Sequence, residues 1–257
     1  MQSLKNKTVC ITGASSGIGA ACAEEFAKLG CNLLLIARRK ERVDELAKKL
    51  QAAHPIEALT IHLDVRNRTA VEIAFSSLNN DWKNIDILVN NAGLARGFAK
   101  LHEGKIEDWD EMIDTNVKGL LYVTRAVLPG MVERNSGHII NIGSIAGHQT
   151  YPMGNVYSAT KFAVVGITRS LKMDLLGTNV RVSSVDPGLV ETEFSQVRYR
   201  GDKERASKAY AGMTPLTPTD IAEAVIFCAT RPAHVNIGEL TITPTDQASV
   251  SMVHRRA

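Results

Sequence analysis

Seven short apolar runs, most of them rich in β-branched residues, recur along this chain with a helical stretch in each gap: Val9–Thr12, Asn32–Ala37, Ala58–Leu63, Ile85–Val89, His138–Ile142, Val180–Val185 and Glu239–Ile242. Strands joined through helices run parallel, and the sheet they form needs helices on both faces. The expected fold is α/β: a single-domain, Rossmann-type, doubly wound parallel sheet over residues 1–257. About residues 1–150 form the cofactor half and about 190–215 a substrate lid. The helix over Asp220–Ala229 has a clear start, with Thr217 as N-cap and Pro218 in the first helical position. No repeat, low-complexity segment or interdomain linker interrupts the alternation.

In open sheets of this kind ligands bind beyond the carboxyl ends of the strands. The candidate functional residues fall there: Gly13, Arg38, Asp64, Asn91, Ser144 and Pro187–Gly188. After the first run comes "TGASSGIG", whose Gly13, Gly17 and Gly19 let backbone turn tightly, with Ser15, Ser16 and Ile18 between them. Such a turn offers the N–H groups of a helix start to a pyrophosphate. Its G-x-x-x-G-x-G spacing departs from the commonest dinucleotide fingerprint, so FAD, S-adenosylmethionine or mere packing stay open at this point.

The second run ends in Arg38 and Arg39, where an NAD enzyme places an acid for the ribose 2′-hydroxyl. Two guanidiniums suit a 2′-phosphate, one as a fork and one as a lid over adenine, which points to NADP(H). The plainer alternative is a solvated helix start, since Lys40, Glu41 and Arg42 continue the charged run. Asp64, followed by Val65, is a candidate acceptor for an adenine amino group, or else a helix cap. Asn90 and Asn91 hold a turn or face a cofactor together with Ala92 and Gly93.

Thirteen residues separate Ser144 from Tyr157, and Lys161 follows Tyr157 at helical i,i+4 spacing. This set can hold a carbonyl oxygen, exchange a phenolic proton and supply the positive charge that favours a phenolate. Tyr199 and Lys203 repeat the spacing, but Tyr199 lies in a polar stretch and is read as a loop residue. Tyr157 opens a long helical run and is read as catalytic.

A net charge of +3 is spread without a basic block, so a nucleic-acid partner is not expected. No apolar run reaches membrane-span length and no signal peptide precedes the first strand, so a cytoplasmic protein without a membrane partner is expected. Cys10, Cys22, Cys31 and Cys228 lack C-x-x-C spacing and read as buried free thiols. No cluster has metal-ligand spacing, so no metal is expected. Arg96, Arg198 and the terminal His254, Arg255 and Arg256 are candidate cations for an acidic substrate. The polar stretch Glu191–Pro215 reads as an irregular, mobile lid. Trp109–Val132 and Val156–Leu176 read as helices that are apolar around much of their girth, buried centrally or packed between subunits.

With "TGASSGIG", "NNAG", Ser144, "YSATK" and Pro187–Gly188 in place, the chain resembles the short-chain dehydrogenase/reductase family over almost its whole length. The resemblance implies Asn116, Ser144, Tyr157 and Lys161 as the catalytic four, with Asn116 holding a proton-relaying water. It also implies Lys161 on the cofactor ribose and a nicotinamide held by the segment Pro187, Gly188, Leu189, Val190, Glu191 and Thr192. The stretches "IDTNVKGLLYVTRAVLPGMVERNSGHIINIGS", "DPGLVETEFSQVRYRGD" and "RPAHVNIGELTITP" are similar to the NADP-dependent 3-hydroxy acid dehydrogenases, which include bacterial serine and allo-threonine dehydrogenases. That implies a small-molecule 3-hydroxy acid substrate and a homotetramer. Residue chemistry alone gives alcohol–carbonyl redox and leaves open a reductase of a neutral ketone, sugar or acyl thioester. A nucleotide-binding sensor without catalysis is the alternative outside enzymes.

Overall fold

In the computed structural model, which describes residues 2–256, the apolar runs become β1 (Thr8–Thr12), β2 (Asn32–Ala37), β3 (Ala58–His62), β4 (Ile87–Asn90), β5 (Gly137–Ile142), β6 (Val180–Pro187) and β7 (Glu239–Ile242). They form one parallel sheet in the order β3-β2-β1-β4-β5-β6-β7. β4 starts two residues later than its apolar run. Ile85 packs in the core, but its N–H closes a turn on Lys83. β6 runs on to Pro187, which pairs with Ile242 at the carboxyl edge.

Alternate residues of the central strands feed two cores, as the two-residue period requires. Val9, Ile11, Leu33, Leu35, Ile87 and Val89 face one core, and Cys10, Leu34, Ile36 and Leu88 face the other. The first core is closed by α1 (Gly17–Lys28), α2 (Lys40–Ala53) and α10 (Pro218–Ala229). On the opposite face lie α3 (Arg68–Ser76), the short α4 (Asn80–Lys83), α6 (Leu120–Glu133) and α7 (Asn155–Asp174), with α5 (Ile106–Ile113) packed beside α7. Each fully buried Leu or Ile is worth roughly 1.5–3 kcal/mol, so the central strands are stiff mounts for whatever follows their carboxyl ends. α10 begins as expected, with Thr217 and Asp220 forming a reciprocal capping box behind Pro218.

Two expectations are corrected. Trp109–Val132 is not one helix: α5 ends at Ile113, a π-helical turn spans Asp114–Gly119, and α6 follows. The Asn116 side chain is spent on the Leu94 backbone, and Gly119 sits where a Cβ would come 2.7 Å from Val65 Cγ2. The widened turn fits both demands. The lid is not irregular, since it holds α8 (Phe194–Arg198) and α9 (Lys203–Lys208), the latter capped by Asp202 accepting from Arg205 N. Among the described residues no helix is long and apolar enough to cross a membrane.

Candidate active site

The strand order reverses between β1 and β4, and a cavity of about 700 Å³ opens over that point at the carboxyl edge. Its volume falls in the usual range for small-molecule and cofactor sites. The glycine turn forms one wall. Gly17 has φ +55°, a left-handed conformation that lets α1 begin abruptly. Among the described residues no side chain caps α1, whose first residues, Gly17 and Ile18, line the cavity. Behind them Gly19 leaves no room at all: a Cβ there would come 2.5 Å from both Asn91 Nδ2 and the Gly13 carbonyl oxygen.

Asn91 does what a turn-holding residue would do. Its Nδ2 donates to Thr12 O at 2.9 Å, and the Asn91 and Ala92 N–H groups both donate to Thr12 Oγ1 at 3.0 Å. Asn90 points the other way, donating to Thr124 Oγ1 and Asn141 Oδ1 in a buried polar string. Asn91, Ala92 and Gly93 thus line the cavity on a turn locked to the glycine turn.

At the far end, Arg39 spreads over the turn, donating from Nε to Ser15 Oγ (3.1 Å) and from Nη2 to Ser16 Oγ (2.5 Å). Arg38 also lines the cavity and leans toward Glu111, 3.9 Å away. Asp64 is gripped by Arg66, whose Nε and Nη2 donate to its carboxylate at 2.6–3.0 Å. The alternative of Asp64 as a helix cap is overturned, because Asn67 caps α3 by accepting from Ala70 N. Asp64 and Val65 still line the cavity. Thr115 Oγ1, also in its lining, is buried without a hydrogen-bond partner. A nucleotide suits this end: uncapped helix N–H groups and the Thr115 hydroxyl lack partners among the described residues, and two serines and an arginine fork stand beside them.

Ser144, Tyr157 and Lys161 meet at the cavity floor with Ile18, Pro187, Gly188, Val190 and Thr192 along its sides. Ser144 follows β5 and starts a 3₁₀ turn, its Oγ accepting from Ala146 N at 3.1 Å. Its contact to Pro187 O is long, 3.4 Å, so the hydroxyl proton can turn toward Tyr157 or a ligand. Burial drives the Tyr157 phenol well above its ordinary range, helped by the neighbouring Tyr151 phenol and opposed by the Ser144 hydroxyl and the Arg198 guanidinium. The Lys161 ammonium is drawn to the Ile142 carbonyl at 2.9 Å and stands 5.9 Å from the Tyr157 ring centroid. Burial pushes Lys161 itself down to about 8, with Asp186 acting against that fall.

Asn116 is 2% exposed and lies behind the floor. Its Oδ1 accepts from Leu94 N, and its Nδ2 donates to Leu94 O (2.8 Å) and Thr160 Oγ1 (3.0 Å). Both amide hydrogens are spent on protein, and only the second lone pair of Oδ1 remains for a water. The π-turn therefore brackets the Leu94 loop to the helix that carries Tyr157 and Lys161. A π-turn at such a place often marks a functional site.

The candidate cations separate clearly. Arg96 is spent, with Nε on Glu111 at 2.6 Å and Nη1 on Val197 O at 2.7 Å. Arg255 donates to the Ala209 and Ala211 carbonyls and Arg256 to Thr214 Oγ1 as well as Asp246, so both tie the tail to the lid. The His254 N–H is bound to Asp246 O. Arg198 is different. Its guanidinium lies over the rings of Phe98 (4.8 Å), Tyr151 (5.5 Å) and Tyr157 (5.8 Å), donates from Nε to Gly97 O at 3.3 Å, and pairs with no carboxylate among the described residues.

Tyr199 is a loop residue as expected, in the turn just after α8. It edges the Phe98 ring and lines the cavity, while Arg205 rather than Lys203 stacks on it. Glu193, Phe98, Tyr151 and Phe194 are not singled out in the sequence, and Arg42 reads there only as part of a solvated charged run. Arg42 has a usable signal, one helical turn from Arg39; the aromatic residues are scattered over two loops and the start of α8 and have none.

A family model described as short chain dehydrogenase matches residues 7–203. The NADP-dependent 3-hydroxy acid dehydrogenase YdfG of Salmonella typhi is 52% identical over 96% of this chain and 99% of its own length. The NADP-dependent 3-hydroxy acid dehydrogenase of Schizosaccharomyces pombe is 44% identical over 100% and 99%. Among solved structures, the closed form of a serine dehydrogenase complexed with NADP+ superposes with a TM-score of 0.90 at 50% identity, covering 97% of this chain and 100% of the other. Serine dehydrogenase from Escherichia coli gives 0.80 at 46% identity, covering 94% and 99%.

Proposed function

We infer what the site does from one premise: the chain belongs to the short-chain dehydrogenase family. It is an NADP-dependent oxidoreductase that interconverts a short 3-hydroxy acid, of the serine, allo-threonine or 3-hydroxypropionate type, and its 3-oxo acid. Names carried by relatives identical at about half of their positions support the substrate class and the cofactor. The single observation that carries the acid part of the reading is Arg198, a cation without a carboxylate partner held over the Tyr157 ring.

The cofactor supplies the hydride acceptor, or in reverse the donor. Gly13, Gly17, Ile18, Ser15, Ser16, Arg38 and Arg39 hold its adenosine and phosphates, with Asp64, Val65, Asn91, Ala92 and Gly93 along the middle. Pro187, Gly188, Val190 and Thr192 hold the nicotinamide end, and Lys161 the ribose beside it. Ser144 donates a hydrogen bond to the substrate oxygen, and Tyr157 takes the hydroxyl proton during oxidation or returns it during reduction. Lys161 keeps a positive charge next to the reacting proton at neutral pH, and Asn116 fixes the helix that carries both. Arg198 pairs with the substrate carboxylate and so points the hydroxyl-bearing carbon at the floor.

A homotetramer is the assembly we place here. Leu121 and Val132 of α6 and Phe162 and Met173 of α7 are exposed apolar side chains on the helices expected to pack between subunits. A cytoplasmic setting fits the four unpaired, buried thiols.

The test offers NADP+ and NAD+ separately to the purified protein with L-serine, L-allo-threonine, 3-hydroxypropionate, 3-hydroxybutyrate and a neutral secondary alcohol. Turnover is expected with NADP+ and the hydroxy acids. The Tyr157→Phe variant should lose at least ~10²-fold in kcat while binding cofactor normally. Turnover of the neutral alcohol alone would discard the acid reading, and normal turnover by Tyr157→Phe would remove the tyrosine from the chemistry.

A further inference from the structure

At the adenosine end of the cavity an anion from the lid reaches across to the cofactor half. Glu193, at the start of α8, accepts from Arg39 Nη1 with Oε2 and from Arg42 Nη1 with Oε1, both at 2.7 Å. With Nε and Nη2 on Ser15 and Ser16, all three nitrogens of the Arg39 guanidinium are engaged. We propose that Glu193 is a built-in competitor of the cofactor, a carboxylate that occupies the arginine pair in place of a ribose 2′-phosphate, must yield to it and so tempers the affinity for it. The proposal rests on the NADP reading above and goes beyond it.

Charge and donor chemistry carry the argument. A serine hydroxyl both donates and accepts, so Ser15 and Ser16 can turn from Arg39 to a phosphate without loss. An ionised carboxylate only accepts, and beside a phosphate dianion it would repel. Arg39 and Arg42 draw the Glu193 carboxyl down to about 2, so the carboxylate stays charged throughout the neutral range. With Glu193 in place the trio carries one net positive charge; with Glu193 displaced it carries two. A 2′-phosphate therefore binds by exchange rather than by addition, and the returning carboxylate assists its departure. Cofactor lacking that phosphate has nothing with which to drive the exchange.

The exchange also reaches the substrate end. Glu193 precedes Phe194, whose ring packs edge-on against Tyr157 at 5.6 Å, and α8 ends in Arg198. Freeing Glu193 loosens the start of the helix that presents the substrate cation.

Calorimetric titration with 2′,5′-ADP and with 5′-ADP, on the wild type and on Glu193→Gln, tests this. Removing a carboxylate that competes through two half-exposed ion pairs should tighten 2′,5′-ADP by about five-fold, leaving 5′-ADP unchanged. Hydrogen exchange across residues 194–199 of the wild type should quicken on saturation with 2′,5′-ADP and not with 5′-ADP. Equal or weaker binding of 2′,5′-ADP by Glu193→Gln, or exchange indifferent to the 2′-phosphate, overturns the proposal while leaving the cofactor reading intact. Wild-type protein that binds 5′-ADP as tightly as 2′,5′-ADP would sink the cofactor reading and this proposal together.

Discussion

The floor of the cavity and its roof are built from different materials. Floor residues are mounted on buried strands and turns whose polar groups are satisfied by backbone. Asn91 holds the glycine turn, Lys161 holds the Ile142 carbonyl, and Asn116 brackets Leu94 to the catalytic helix. The roof, from Thr192 to Thr214, is two short helices held by contacts at their edges. Arg96 reaches Val197 O, Arg200 pairs with Asp108, Tyr210 bonds Ser195 and Val190 O, and Arg255 clasps the Ala209 and Ala211 carbonyls. Polar contacts of this kind, most of them partly buried, are each worth roughly 0.5–1.5 kcal/mol net, whereas the floor is fixed by the buried strands that carry it. Chemistry sits on the rigid part, and choice of ligand on the part that can move.

If that division holds, the smallest change to the floor has the largest consequence. Gly19→Ala pushes a methyl against the Gly13 carbonyl as well as Asn91, and backbone has nowhere to go. It should cost about 3 kcal/mol or more in urea unfolding, and titration should show at least about tenfold weaker NADP(H) binding. An Ala variant of wild-type stability and affinity would mean the floor gives way as readily as the roof.

A second floor prediction uses pH. Burial lowers Lys161 from its ordinary 10.5 to about 8, so between those values the unfolded chain holds this proton and the native chain does not. Stability contributed at this site therefore rises with pH across that window. Urea titrations without added cofactor should show the wild type gaining about 2–3 kcal/mol relative to Lys161→Met from pH 8 to 10.5. Parallel curves would show the ammonium to be solvated rather than buried.

The floor was the legible part. Strand ends, glycine spacing and the Ser144–Tyr157–Lys161 set are local patterns, and a parallel sheet delivers every strand's carboxyl end to one edge. What sequence hid was arrangement across elements. That Arg39 turns to Glu193, more than a hundred residues on, follows from where the lid lands. The pull of Ile142 on Lys161 depends on a carbonyl that no motif marks. The π-turn at Asn116 arises because a long apolar run had to serve the Leu94 loop and pack on Val65 together. The lid helices escaped because runs of five and six residues are too short to display a helical period.

The mildest prediction tests the roof. Arg198 contributes little to the fold, since its Nε bond to Gly97 O is long and its stacking partners stay packed among themselves. Its value lies in charge. Arg198→Met keeps apolar cover over Phe98 and Tyr151 and removes the cation, so KM for a 3-hydroxy acid should rise about tenfold with kcat little changed. Neutral secondary alcohols should be converted as by the wild type or slightly better, because no carboxylate is lost. Should kcat fall equally for acids and neutral alcohols, Arg198 acts on Tyr157 rather than on the substrate, which its place 5.8 Å from that ring also permits. The roof would then share in the chemistry, and the division between a catalytic floor and a selective roof would fail at this residue.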